Sequence, residues 1–212
     1  LGKGANGVGG ARLGVPGAKG TKMSVVQRGG FACVRSERPD GSATVNCVDD
    51  ATFGGAGSKK VKKGQEVVRT GSHAYMVDAA KGLVRPLDPK TLRADGDVLE
   101  FKAPISTVAD DDGRLLVLEL ETSLASVVVG ASAGEPVAVG EAKGDLFGSL
   151  VDGQFAVVAQ ADGRVSLFVD GRLDRRVGLP GRLGASLVPG EVEGGEWPLL
   201  SRSGSGGAVV VL

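Results

Sequence analysis

Gly113-Arg114-Leu115-Leu116-Val117-Leu118 is the stretch on which the fold turns, because the chain repeats its pattern four more times. The other copies begin at Gly30 (GFACV), Gly71 (GSHAYMV), Gly153 (GQFAVV) and Gly195 (GEWPLL), at spacings of 41, 42, 40 and 42 residues. In each, the glycine follows a short apolar strand and leads into a second strand, a polar turn and a third strand. The flanks keep the same period. Arg12-Leu13-Gly14-Val15-Pro16-Gly17 corresponds to Arg176-Val177-Gly178-Leu179-Pro180-Gly181 at a shift of 164, four periods of 41.

Each repeat reads as four strands. The second places them over 67–69, 73–78, 83–87 and 98–101. The third places them over 105–109, 114–118, 124–129 and 136–139, and the fourth over 146–151, 154–159, 164–169 and 174–178. Leu115-Leu116-Val117-Leu118 is apolar without alternation, as expected of a strand buried on both faces. Asp174-Arg175-Arg176-Val177 is polar, as expected of an edge facing water. Asp-Gly pairs at 40–41, 112–113, 152–153, 162–163 and 170–171 supply the positive φ that tight hairpins require. No window sustains a 3.6-residue period, so helix is expected to be nearly absent.

Four strands in about 41 residues is the period of a β-propeller blade. The expected fold is therefore all-β, a single β-propeller domain over 1–212 built from four-stranded antiparallel blades that start near 22, 67, 105, 146 and 185. The last repeat shows three strands, over 185–188, 196–201 and 208–212, while residues 10–15 form an unmatched fourth-strand element. Two arrangements fit. Either strand 10–15 completes the last blade and five blades close on themselves, or the chain is part of a six- or seven-bladed ring. The start at Leu1, without a methionine or a signal-type apolar stretch, fits a processed product or a piece of something longer.

Composition narrows the function. Glycine fills 36 of the 212 positions, against a usual share of about 7%, without the three-residue period of collagen. Lys+Arg and Asp+Glu are 25 each. Zero net charge argues against a nucleic-acid partner. The 42% apolar content argues against disorder. No apolar run is long enough for a transmembrane segment.

The stretch Ala74-Tyr75-Met76-Val77-Asp78-Ala79-Ala80-Lys81-Gly82-Leu83-Val84, with Leu87-Asp88-Pro89 and Leu92, resembles the blades of bacterial YncE-like and NHL-like propellers. More narrowly, it is similar to the propeller regions of secreted or membrane-anchored actinobacterial proteins that carry fibronectin type III domains. The runs at 15–20 and 110–115 fit those blades too. The first blade departs from them, with two cysteines and a lysine run where the V-D and D-P elements would stand. The resemblance implies no catalytic residues and no cofactor.

Cys33 and Cys47 flank the turn Arg38-Pro39-Asp40-Gly41-Ser42, and their midpoint falls on it, so they should face one another across a hairpin. A disulfide there would place the protein outside a reducing cytosol; two buried thiols are the alternative. Lys59-Lys60-Val61-Lys62-Lys63 is the strongest charge run. It reads either as an anionic-partner patch for an envelope polymer or lipid surface, or as an edge strand guarded by lysines against stray pairing.

Three motif matches carry less. Gly130-Ala131-Ser132-Ala133-Gly134 spells a nucleophile elbow, but strands flank it and His73 is the lone histidine. Gly2-Lys3-Gly4-Ala5-Asn6-Gly7 spells a dinucleotide fingerprint with no strand before it. Asp110-Asp111-Asp112-Gly113 opens like a calcium loop but lacks the later ligand and glycine. One His and two Cys cannot build a structural zinc site.

The expectation is a non-catalytic, extracytoplasmic propeller acting as an interaction or scaffold module of a larger cell-envelope protein. Its partner would be another protein, or the remainder of a longer polypeptide. Two alternatives stay open. A glycan-active enzyme would need paired acids in the central funnel, for which Asp78, Asp110 and Asp152 are the candidates. A structural subunit of an extracellular assembly would need a partner along an edge blade.

Overall fold

The computed structural model describes residues 21–52, 54–141, 146–151, 154–159, 163–178, 187–189, 198–203 and 206–211. They form successive antiparallel sheets in chain order. Blade 1 comprises β1 (Lys22–Arg28), β2 (Phe31–Glu37), β3 (Ala43–Asp49) and β4 (Gly55–Val61), hydrogen-bonded in that order. Blade 2 comprises β5 (Gln65–Arg69), β6 (Ala74–Asp78), β7 (Leu83–Leu87) and β8 (Leu99–Glu100). In blade 3, β9 (Ile105–Ala109), β10 (Arg114–Glu119) and β11 (Leu124–Val129) are followed by β12 (Ser132–Ala133) and β13 (Val137–Ala138), both paired with β11. Blade 4 runs β14 (Leu146–Val151), β15 (Gln154–Ala159), β16 (Arg164–Val169) and β17 (Arg172–Gly178). A three-stranded sheet follows, β18 (Leu187–Pro189), β19 (Pro198–Ser203) and β20 (Gly206–Val211). Among the described residues the one helical element is a 3-10 turn at Ala79–Lys81. The closing strand expected at 10–15 lies outside the described residues, as does the fingerprint-like run at 2–7.

The hairpins follow from their turn residues. Gly29 and Gly30, with φ of +60° and +73°, join Arg28 to Phe31 in the two-residue geometry that fits the twist of paired strands. Asp170 (φ +48°) and Gly171 (φ +78°) join Val169 to Arg172 in the same way. Each blade thus runs its first strand up, its second down, its third up and its fourth down. We call the rim carrying the first-to-second and third-to-fourth turns the upper rim.

Three apolar cores sit between blades rather than within them. Cys33, Val45, Cys47 and Val61 of blade 1 meet Ala74, Leu87 and Leu92 of blade 2. Tyr75, Val77 and Val84, on the opposite face of blade 2, meet Ile105, Leu115, Val117 and Val128 of blade 3. Leu116, Leu118 and Val127 then meet Leu146, Phe155, Val157 and Phe168 of blade 4. Alternate residues of β10 therefore serve two different cores, which is why Leu115-Leu116-Val117-Leu118 carries no polar position. Burial of each such side chain stabilises the fold by about 1.5–3 kcal/mol.

The outer strands depart most from the sequence pattern. The strand expected at 136–139 is split into β12 and β13. Pro136 has no N–H to extend a ladder, and the Gly134 N–H donates instead to the Val127 carbonyl (2.8 Å). The strand expected at 98–101 shortens to Leu99–Glu100, with an isolated bridge between Leu87 and Ala94 beside it.

Candidate functional site

Cys33 and Cys47 are directly opposed across β2 and β3 and form a disulfide, with Cα atoms 4.0 Å apart. It belongs to the core between blades 1 and 2, its residues 6% and 2% exposed. Arg69, at the end of β5, is packed against it. Its guanidinium lies 3.9 Å from the centroid of the Phe31 ring, and Nη1 donates to the Pro89 carbonyl (2.9 Å) and lies 3.9 Å from Cys47 Sγ. Arg69 is only 5% exposed, and burial lowers its pKa to about 10.

A cavity of about 480 Å³ opens beside the disulfide, lined by Ser24, Val26, Cys33, Arg35, Gln65 and Val67 among others. Arg35 spans it, donating to the Gln65 carbonyl (3.1 Å) and to Glu37 (2.9 Å).

The lysine run occupies the free outer edge of blade 1 and the turn beyond it. Strand alternation divides it. Lys60 is exposed, Lys59 is half-buried on the face toward blade 2, and Val61 is buried opposite Ala43. Lys62 and Lys63 are exposed on the lower rim, and the Lys63 stem lies over Gly41. No ion pair among the described residues involves any of the four lysines.

On the upper rim the inner turns are stacked backbone to backbone. A Cβ on Gly29 would meet the carbonyls of Thr70 and Gly71 at 2.5 Å, and one on Gly71 would meet the Asp111 carbonyl at 1.6 Å. The Gly71 N–H donates to the Asp110 carbonyl (3.1 Å). Arg28, at the end of β1, reaches past blade 2 to the Ala109 carbonyl (2.7 Å) and the Asp111 carboxylate (3.2 Å). Arg114 joins Asp110, Asp112 (2.9 Å) and Asp170 (3.3 Å). Burial opposes the Arg114 charge, but the hydrogen bond and charge of Asp110, helped by Asp112 and Asp170, raise its pKa above the ordinary guanidinium value.

This arrangement accounts for the acids picked out in the sequence. Asp110, 1% exposed, accepts from the Asp112 and Arg114 N–H groups and from the Arg114 side chain. Asp78 stands at the lower end of β6, engaged by Gln65 (3.1 Å) and Lys81 (3.4 Å). Asp78 and Asp110 therefore occupy opposite rims, and Asp152 lies outside the described residues. Among the described residues, no three His, Cys, Asp or Glu side chains gather as a metal site. His73 packs near Gly130: a Cβ built there would lie 3.6 Å from its Cε1. Ser132, however, is on a two-residue strand rather than the strand-to-helix turn of a nucleophile elbow. Burial pushes the Tyr75 phenol up to about 12.

Two features escaped the sequence reading. Asp49-Asp50-Ala51-Thr52 and Asp88-Pro89-Lys90-Thr91 cap equivalent turns after the third strands. In each, the Asp carboxylate accepts from the Thr N–H (2.8 and 2.6 Å) and hydroxyl (2.9 and 2.8 Å). Arg28 and Arg69 also fall one period apart, with Asp110 the next residue in that register. A column-by-column alignment at 41 residues exposes the arginine register, whereas the two Asp-x-x-Thr turns recur at 39 residues and show only when the motif itself is compared.

No protein-family model matches the chain, and no curated protein matches it either. Solved structures do. The β-propeller domain of the Trilobed protease from Pyrococcus furiosus superimposes with a TM-score of 0.60 at 11% identity, over 91% of this chain and 69% of that one. The dihydro-heme d1 dehydrogenase NirN gives 0.58 at 16% identity, over 90% of this chain and 41% of that one. Hsv2 of Kluyveromyces lactis gives 0.57 at 12%, over 84% and 57%. The chain spans about half the length of NirN and Hsv2. At these identities the likeness shows the fold, a β-propeller arrangement of blades.

Proposed function

We propose that this propeller is a non-catalytic scaffold that works outside the cytosol as a module of a larger cell-envelope protein, akin to the YncE- and NHL-like blades that its second repeat resembles. The observation that carries this reading is the lysine edge. Lys59, Lys60, Lys62 and Lys63 stand on a blade clamped by a buried disulfide, with no carboxylate paired to them among the described residues. A rigid edge with uncompensated positive charge suits an anionic partner, such as a phosphate-bearing envelope polymer or an acidic protein surface. The disulfide supports an oxidising compartment. Against a glycan-active reading, the described upper-rim acids Asp110 and Asp111 are already engaged by Arg114 and Arg28.

The test is binding of the full chain to a soluble poly(glycerol phosphate), measured calorimetrically at low and at physiological salt. Affinity should fall as salt rises, and at least tenfold in the variant carrying K59Q, K60Q, K62Q and K63Q together. Binding that ignores these substitutions refutes the lysine edge as the docking site.

A further inference from the structure

Arg69 is placed unusually for a surface-module arginine. It is 5% exposed, no ion pair among the described residues includes it, and its Nε has no hydrogen-bond partner. Its neighbours are an aromatic face, one carbonyl and the sulfur of Cys47. Buried cations are ordinarily compensated by an anion. The group nearby that becomes an anion on a simple chemical change is Cys47, which is a thiolate once the disulfide opens.

The second half of the argument is access. Strand order β1-β2-β3-β4 puts Cys33 on the inner strand of the bonded pair, and Cys33 lines the 480 Å³ cavity together with Ser24 and Val26 of β1. Cys47 lies one strand further out, 2% exposed, against Arg69. The two sulfurs therefore differ in kind. Cys33 borders a space that an incoming thiol can enter, and Cys47 borders a buried positive charge.

We propose that Cys33–Cys47 is a directional thiol–disulfide exchange site, attacked at Cys33 by an external dithiol, with Cys47 as the leaving group held by Arg69. The entering thiolate forms a new S–S bond to Cys33 Sγ. The Cys33–Cys47 bond breaks, and its electron pair leaves on Cys47 Sγ, which pairs with the guanidinium. The second thiol of the reductant, deprotonated by water, then attacks the reductant's own sulfur in the mixed disulfide. Cys33 leaves as a thiolate and takes up a proton. Two electrons pass to the protein, and the dithiol ends as a disulfide. A guanidinium beside a sulfur lowers its thiol pKa, and the better leaving group leaves faster. Opening the bond removes the covalent tie between β2 and β3 in the core shared with blade 2 and leaves their hydrogen-bonded ladder in place, so the redox state of this pair bears on the rigidity of the edge that carries the lysines. The exchange chemistry itself does not depend on what those lysines bind.

The experiment uses the oxidised full chain and reduced glutathione as the probe, a monothiol that stalls at the first step. After an acid quench and maleimide capping, trypsin cleaves after Arg35 and separates the two cysteines for mass spectrometry. Glutathione should be found on Cys33 and maleimide on Cys47. Glutathione on Cys47, on both equally, or on neither while the chain stays folded overturns the proposal. A second measurement addresses Arg69 through the thiolate absorbance of Cys47 in a C33S chain. Its pKa should lie below the usual 8.5, remain low in R69K and rise in R69M, with R69M reduced about threefold or more slowly than R69K. A Cys47 thiol that titrates at or above 8.5 with Arg69 present refutes the leaving-group role, whatever R69M does to folding.

Discussion

Gly71→Ala isolates how tightly the upper-rim turns are stacked. Gly71 is not at a positive φ, so an alanine there meets no intrinsic backbone strain; the cost is steric. Its Cβ would lie 1.6 Å from the Asp111 carbonyl oxygen and 2.5 Å from the carbonyl carbon, where ordinary contact begins at 3.4 Å. The turn of blade 3 must withdraw by about 1.8 Å, and the atoms in the way are backbone, which cannot swing aside. Overpacking of this kind costs about 1–3 kcal/mol, and loss of the bond from the Gly71 N–H to Asp110 adds about 0.5–1.5 kcal/mol. The total is about 3 kcal/mol, or a drop in Tm of about 6–12 °C for a chain of this size. Gly64→Ala is the matched control. Gly64 has φ +80° and nothing within 4 Å of its Cβ, so it carries the conformational cost alone, about 1 kcal/mol. Both are read by circular dichroism melts on the full chain. If Gly71→Ala melts no lower than Gly64→Ala, the inner turns are not in contact and the stacked rim is wrong.

Arg114→Met leaves Asp110 buried without its cation and should cost about 3–5 kcal/mol in urea titrations; adding Asp110→Asn should recover part of that loss, and no recovery would mean the pair is not the cause. The acid limb of stability should trace to the turn carboxylates. Asp49 and Asp88 are held below 3.8 chiefly by the N–H groups of Thr52 and Thr91, then by their hydroxyls. A depressed folded pKa gives stability that is fully present above 3.8 and lost as pH falls through the folded value. Melting temperature should therefore decline as pH drops below about 4, and less steeply in an Asp49→Asn, Asp88→Asn chain, which keeps the turn acceptors but not their titration. Parallel acid limbs for both chains would count against this assignment.

The repeat made the architecture legible. Glycine spacing near 41 fixed where blades recur, and unbroken apolar runs such as Leu115-Leu116-Val117-Leu118 marked strands that serve two cores at once. The cysteine pairing was legible for a local reason: two residues symmetric about a Pro-Asp-Gly turn must meet if the hairpin forms in register. Outer strands were harder, because an edge buries one face at most and its boundaries answer to single residues, as Pro136 shows. Of the site, the lysine run was visible, but its division by alternation into Lys60 on one face and Lys59 on the other needed the register of β4. Arg28 and Arg69 were opaque for a different reason. An arginine at a strand end is ordinarily solvated, and only the approach of neighbouring blades turns one into a bridge and the other into a buried cation.

The reach of Arg28 past blade 2 changes how this array should come apart. An array of blades tied only to immediate neighbours unravels from an end, one unit at a time, because removing the first costs a single interface. Here the first blade is also braced to the third, through the Ala109 carbonyl and Asp111. Like a diagonal member in a truss, that tie makes the second blade hard to shed alone and loads three blades together. Fraying from the blade 1 side then has to break the brace as well as the shared core, so blades 1 to 3 should yield as one block.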